Sequence, residues 1–282
     1  MTAAMRACPR SSVSAVNRQQ APHRRPHPPL SLRNALAQPH RGALELVGLA
    51  GLYGVYELIR GFGSTSLEAA RRHAADVVAL ELHVHVSGER ALQSWVQHVP
   101  ALPGLLGLAY VTLHLAATAA TLTWIHRAHR ERFPLVRTTL VIATGIALAI
   151  YVVYPAAPPR LAGLGFADTV SAKSHVNLSS DLLGSLYNPF AAVPSLHFGY
   201  ALLVGAAVFS LARSRRAKVF GAAYPVFMLF DIVATGNHFL FDAAAGGAVV
   251  IVAWFVARRI VAPAAQHAGA ERPPRALAGA MS

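Results

Sequence analysis

Cysteine is all but missing from this chain. Cys8 stands alone among 282 residues, which excludes an intrachain disulfide and a cysteine-ligated metal site. Charge is scarce too: 13% of residues are Asp, Glu, Lys or Arg, where soluble domains carry about 25%. Acidic side chains are the scarcer sign, 12 against 25 basic ones. The net charge of +13 would suit a nucleic-acid binder if the basic residues formed a patch. They lie instead in the tails and in short loops between apolar runs, which excludes nucleic acid as a partner and implies a lipid bilayer. Residues 1–41 contain no apolar stretch of the kind a cleavable signal peptide needs, and no internal repeat is evident.

Apolar sequence, by contrast, makes up 54% of the chain. Six segments approach the ~20 residues needed to cross a bilayer: 43–61, 103–126, 136–154, 195–212, 217–235 and 239–258. The expected fold is all-α, a polytopic bundle of six transmembrane helices over residues 42–262, flanked by disordered tails at 1–41 and 263–282. Nineteen of the 25 Lys and Arg residues fall on one side of this arrangement, including Arg127, Arg130, Arg132, Arg213 and Arg215. That asymmetry places both termini in the cytoplasm of a multi-pass cell-membrane protein. Residues 62–102, 155–194 and 236–238 then lie outside. Within the first of these, Leu67, Ala70, Ala74, Val77, Val78 and Leu82 recur at helical spacing among interrupting charges such as Glu81 and Glu89. This reads as amphipathic helices on the outer surface, or as a helical hairpin packed on the loops.

Three polar clusters share the outer side. Tyr154 opens a proline-rich stretch ending in Arg160; the prolines stop the helix, and a guanidinium fork suits phosphate oxygens. Pro194 and Ser195 are good helix starters, which puts His197 in the first turn of the fourth span, where free N–H groups bind anions. Asn237 and His238 precede Asp242 by a spacing that places His238 and Asp242 on one helical face. There an Asp can accept the imidazole Nδ1–H and leave Nε2 as a nucleophile or base. Tyr110 and His114 share one face of the second span; such intramembrane polar groups serve a substrate or make interhelical hydrogen bonds. Asp231, inside the fifth span, needs a proton, a partner or water. Nothing fixes a histidine metal geometry.

Pro194-Ser195-Leu196-His197 and His238-x-x-x-Asp242 resemble the second and third signatures of the type 2 phosphatidic acid phosphatase superfamily. Ala157-Pro158-Pro159-Arg160 resembles the first signature as it occurs in the inositol phosphorylceramide synthase-like branch. The resemblance covers about residues 105–257. It implies a membrane phosphatase or inositolphosphotransferase-like enzyme that acts on a lipid phosphate or phosphodiester, with no metal or other cofactor. It further implies that His238 attacks phosphorus, Asp242 orients it, His197 protonates the leaving alkoxide and Arg160 stabilises the equatorial oxygens. Ser195, Asn237, Tyr154, His114 and Tyr110 are the candidate substrate-binding residues. The chain departs from the superfamily pattern where Val153 replaces a Lys, Asp231 and Ile232 replace a Ser-Arg pair, and Leu196 replaces a Gly. Two phosphate-binding cations are therefore missing, and Lys173 and His175 are candidates to supply the charge. A non-catalytic lipid-phosphate carrier using the same pocket is the alternative from another class.

Overall fold

The computed structural model describes residues 66–173 and 188–270, with the backbone alone for 172–173 and 262–270, and three single positions before them. The expected tail at 1–41, nearly all of the first span and His175 lie outside the described residues. The elements in chain order are α1 (Leu67–His83), α2 (Glu89–Gln97), α3 (Leu102–Ala128), α4 (Phe133–Val153), a 3-10 turn (Pro159–Leu161), α5 (Thr169–Lys173), α6 (Leu196–Leu211), α7 (Arg215–Ala234) and α8 (Leu240–Ala270). Among the described residues there is no strand, only one parallel bridge between Ala156 and Ala191.

Four helices are long and apolar enough to cross a membrane: α3, α4, α7 and the Leu240–Val261 part of α8. Each carries large exposed side chains, such as Leu105, Leu115, Val153, Val226 and Ile251, that water would not tolerate in a continuous belt. The expected fourth span is shorter than a crossing requires, at 16 residues, or roughly 24 Å against an apolar layer of about 30 Å. Its position explains this. α6 packs against α3, α4, α7 and α8 and buries Gly199, Ala201, Leu203, Val204, Gly205 and Ala207, so most of it lies among helices, with Phe209 exposed near its end. At the other end of the chain, α8 runs to Ala270, past residue 262 where the sequence reading ends the membrane domain. Alanine, the best helix former, recurs in this stretch and carries the helix past Pro263 and Gly269.

Small residues bring the helices close. A Cβ on Gly205 would meet the Gly221 carbonyl at 2.5 Å, and one on Gly221 would meet Phe209 N at 2.7 Å, so α6 and α7 touch backbone to backbone. The core behind that seam contains Tyr110, Met228, Ile232 and Ala243.

α1 and α2 form a hairpin packed on the loops, the second of the two arrangements the sequence allowed. Ser66 caps α1 through Ala69 N, and α1 buries Ala70, Ala74, Val77 and Glu81 at i, i+4, i+7 and i+11. Arg71 donates to the Leu161 carbonyl at 2.8 Å and His73 Nδ1 meets the Pro155 carbonyl at 2.8 Å. Gln93 donates to the Ala167 carbonyl and accepts from its N–H, both at 2.9 Å. The hairpin thereby fixes the segment that carries Arg160.

Candidate active site

His238 sits between two helix ends that specify its backbone. α7 ends in a Schellman motif: Asn237 N–H donates to the Ile232 carbonyl and Gly236 N–H to the Val233 carbonyl, each at 3.0 Å. Gly236 has φ +70, and a Cβ there would meet Gln93 Nε2 at 2.5 Å, so only glycine closes this turn. α8 then begins with half of a capping box. Asp242 Oδ2 accepts the Phe239 N–H at 2.9 Å. The same oxygen lies 3.4 Å from His238 Nδ1. The nearer acceptor for that nitrogen is the Ala192 carbonyl, at 3.0 Å. Asp242 is fully buried, and its Oδ1 has no hydrogen-bond partner among the described residues.

His197 is placed by the start of α6. Ser195 is the N-cap, its hydroxyl accepting from Phe198 N–H at 3.4 Å. Ser195 N–H also donates to the Asp242 carbonyl at 2.9 Å, which ties the first residue of one helix start to the other. A Cβ on Gly246 would overlap the Ser195 carbonyl oxygen. The two helix starts are therefore held at backbone contact, and the His197 and His238 rings lie 5.8 Å apart between centroids.

Both rings face a cavity of about 370 Å³. α3 contributes Tyr110 and His114: the Tyr110 ring stacks on His197 at 4.2 Å, and the His114 ring lies 4.0 Å from it. α4 contributes Thr144, Leu148 and Tyr151, and the loop before α6 contributes Asn188, Pro189, Ala191 and Ala192. Of the residues singled out in the sequence, His238, His197, Asn237, His114 and Tyr110 line this cavity. Arg160, Asp242, Ser195 and Tyr154 do not. Arg160 stands one layer back: its side chain is 4% exposed, its Nε–H donates to Asn237 Oδ1 at 2.9 Å, and its Nη1 lies 3.4 Å from Asp168 Oδ2. Tyr154 turns the other way, stacking on His73 at 4.2 Å with its hydroxyl on the His73 carbonyl.

The sequence reading missed Thr144, Tyr151 and Tyr200. Tyr200 and Thr144 hydroxyls are 2.6 Å apart at the cavity wall, and Tyr151 donates to the Pro194 carbonyl at 2.7 Å. A hydroxyl inside an apolar run was the available signal for each. Neither missing cation is replaced at its own position. Val153 is 78% exposed and Ile232 is fully buried in the helix core. Lys173 stands at the end of α5. No group of three or more His, Cys, Asp or Glu among the described residues is arranged to hold a metal ion.

The N-terminus of α8 is not open to an anion, because Asp242 and Glu81 already take the N–H groups of Phe239 and Phe241. At α6, the cavity-lining Leu196 and His197 occupy first-turn positions whose N–H groups have no intrahelical acceptor. The arrangement thus offers a phosphate two imidazoles, an amide backed by a guanidinium, and a helix start.

A family model described as the PAP2 superfamily matches residues 75–256. No curated protein and no solved structure matches the chain.

Proposed function

Because the chain belongs to the PAP2 superfamily, we propose that it is a membrane enzyme that transfers a phosphoryl group from a lipid phosphate or phosphodiester through a phosphohistidine. The observation that carries this reading is the placement of His197 and His238. They are 41 positions apart in sequence, yet their rings lie 5.8 Å apart on one cavity.

In the first step, His238 Nε2 attacks phosphorus. The Ala192 carbonyl at Nδ1 holds the tautomer that leaves Nε2 unprotonated, and Asp242 stabilises the positive charge the ring acquires. The bond from phosphorus to the lipid alkoxide breaks as the N–P bond forms, and His197 gives its proton to that alkoxide. In the second step, His197 takes a proton from an incoming hydroxyl, whose oxygen attacks phosphorus and releases His238. Water as acceptor gives hydrolysis; a polyol gives a phosphate monoester from a monoester donor, and a new phosphodiester from a diester donor whose second ester stays on phosphorus. Arg160 acts through Asn237 on the equatorial oxygens. His114 and Tyr110 hold His197 from its far side and complete the substrate pocket. The resemblance of the first signature to the synthase-like branch supports the polyol acceptor, and the distribution of Lys and Arg supports a site at the extracytoplasmic face.

The test uses purified protein in detergent, offered a lipid phosphate monoester and a lipid phosphodiester, each with and without inositol, with free phosphate and newly formed inositol phosphate esters measured. His238→Ala is expected to abolish turnover and covalent phosphoenzyme. His197→Ala is expected to lose far more activity on a lipid phosphate than on an aryl phosphate, because only the aliphatic alkoxide needs the proton, and still to form phosphoenzyme. Phosphate labelling that survives in His238→Ala but not in His197→Ala would reverse the two roles. Wild-type protein that binds the lipids without a burst or turnover would be a carrier.

A further inference from the structure

The α1–α2 hairpin contains two buried carboxylic acids that take no part in the steps above. Glu81 is 5% exposed and Glu89 7%. Glu81 lies on the face that α1 buries, and its Oε1 accepts the Phe241 N–H at 2.7 Å from 160 positions away. Phe241 is the second residue of α8 and immediately precedes Asp242. A helix start leaves its first N–H groups without intrahelical acceptors. Here one of them is met from within by Asp242 and another from outside by Glu81. Glu89 stands beside this contact. Its Oε2 accepts the Gly88 N–H at 2.9 Å, and its carboxyl is a side-chain hydrogen-bond partner of Glu81.

We propose that Glu81 is a positioning residue for the reaction: it pins the first turn of α8, and through that turn it sets His238 and Asp242 against the cavity. The hairpin thereby becomes part of the catalytic apparatus and more than a cover for the loops. The proposal rests on His238 being the nucleophile.

The charge state of Glu81 fits this role. Burial is the main influence, and together with the neighbouring carboxylates of Glu89 and Asp242 it pushes Glu81 up from 4.5 to about 8, against the opposing pull of the Phe241 N–H. The titratable groups that bear on it are thus Glu89 from α2 and Asp242 from α8, both acidic. Near neutrality Glu81 is protonated and serves as an acceptor for α8 without adding another negative charge beside Asp242. Above about pH 8 it ionises and sets a further negative charge beside Asp242 at the start of α8, which disturbs the turn that positions His238.

The test measures kcat and KM against pH, in detergent, with a lipid phosphate as substrate. Wild type, Glu81→Gln, Glu81→Ala and His238→Ala are compared. Glu81→Gln keeps an oxygen acceptor and cannot ionise. It is expected to match wild type at pH 7 and to lack the fall in activity that wild type shows above about pH 8. Glu81→Ala removes the acceptor and is expected to lower kcat by about tenfold to a hundredfold with little change in KM, the cost of a displaced reacting group. An alkaline fall that persists unchanged in Glu81→Gln, or a wild-type kcat in Glu81→Ala, overturns the proposal. If Glu81→Ala does not fold, the Glu81→Gln profile decides alone. Failure of the nucleophile assignment shows separately, as phosphoenzyme that survives in His238→Ala.

Discussion

Arg160 reaches the cavity through Asn237. Its Nε–H donates to Asn237 Oδ1 at 2.9 Å, while Asn237 Nδ2 donates to Thr235 Oγ1 at 2.8 Å. A guanidinium and an amide on segments 77 positions apart therefore act as one unit. Arg160→Lys keeps the charge and loses the fork. It is expected to lower kcat/KM by on the order of tenfold to a thousandfold, the range for a transition-state donor. Asn237→Ala is expected to cost a similar factor, and the double variant little more than either alone, because the pair shares one interaction. Losses that add in a double-mutant cycle would show that Arg160 works without Asn237.

His238 has two acceptors near Nδ1, the Ala192 carbonyl at 3.0 Å and Asp242 Oδ2 at 3.4 Å. Asp242→Asn leaves the carbonyl in place. The variant is expected to lose activity, but well short of the roughly 10⁴-fold drop seen where a carboxylate alone holds the tautomer. Single-turnover rates of phosphoenzyme formation measure this directly. A complete loss would mean that the Ala192 carbonyl contributes nothing to the orientation of the ring.

The raised value of Glu81 also has a consequence for stability. In the unfolded chain the acid ionises near 4.5, and in the folded protein near 8. Between those values the folded state binds the extra proton, so the contribution of this group to stability is full below about pH 4.5 and is lost as pH rises to about 8. Melting temperatures in detergent are expected to decline across that window more steeply for wild type than for Glu81→Gln. Parallel declines would show that other groups set the pH dependence.

Much of this architecture is legible in the sequence. α3, α4, α7 and α8 are long apolar runs, and the Pro194-Ser195 start places His197 in the first turn of α6. The three polar clusters that carry Arg160, His197 and His238 fall on one side of those runs. The remaining features depend on contacts that no local pattern carries. Glu81 reads as a charge that breaks an apolar stripe, yet it is buried because its partner is a backbone N–H 160 positions away. Tyr154 sits beside the right segment, but its stacking on His73 turns it from the cavity. The Ala192 carbonyl has no side-chain signature at all. Arg160 was read as a direct phosphate ligand, and the amide in front of it is visible only in three dimensions.

The proposed membrane orientation rests on the distribution of Lys and Arg and can be tested chemically. Single cysteines placed at Arg130 or Arg215 in a Cys8→Ser background are expected to resist a membrane-impermeant thiol reagent in intact cells. A cysteine at Gly163 is expected to react. The reverse pattern would place the cavity on the cytoplasmic side.

The contact between Gly246 and Ser195 also bears on how a lipid gains entry. Backbone has no rotamers through which to yield, so the starts of α6 and α8 move together or not at all. The cavity must widen, if it widens, on the side of α3 and α4. The first contacts to part would then be the Tyr110 stack and the tilted His114 ring on His197, before the spacing between His197 and His238 changes. Loosening that one aromatic wall would admit a bulky lipid while His197 and His238 keep their separation.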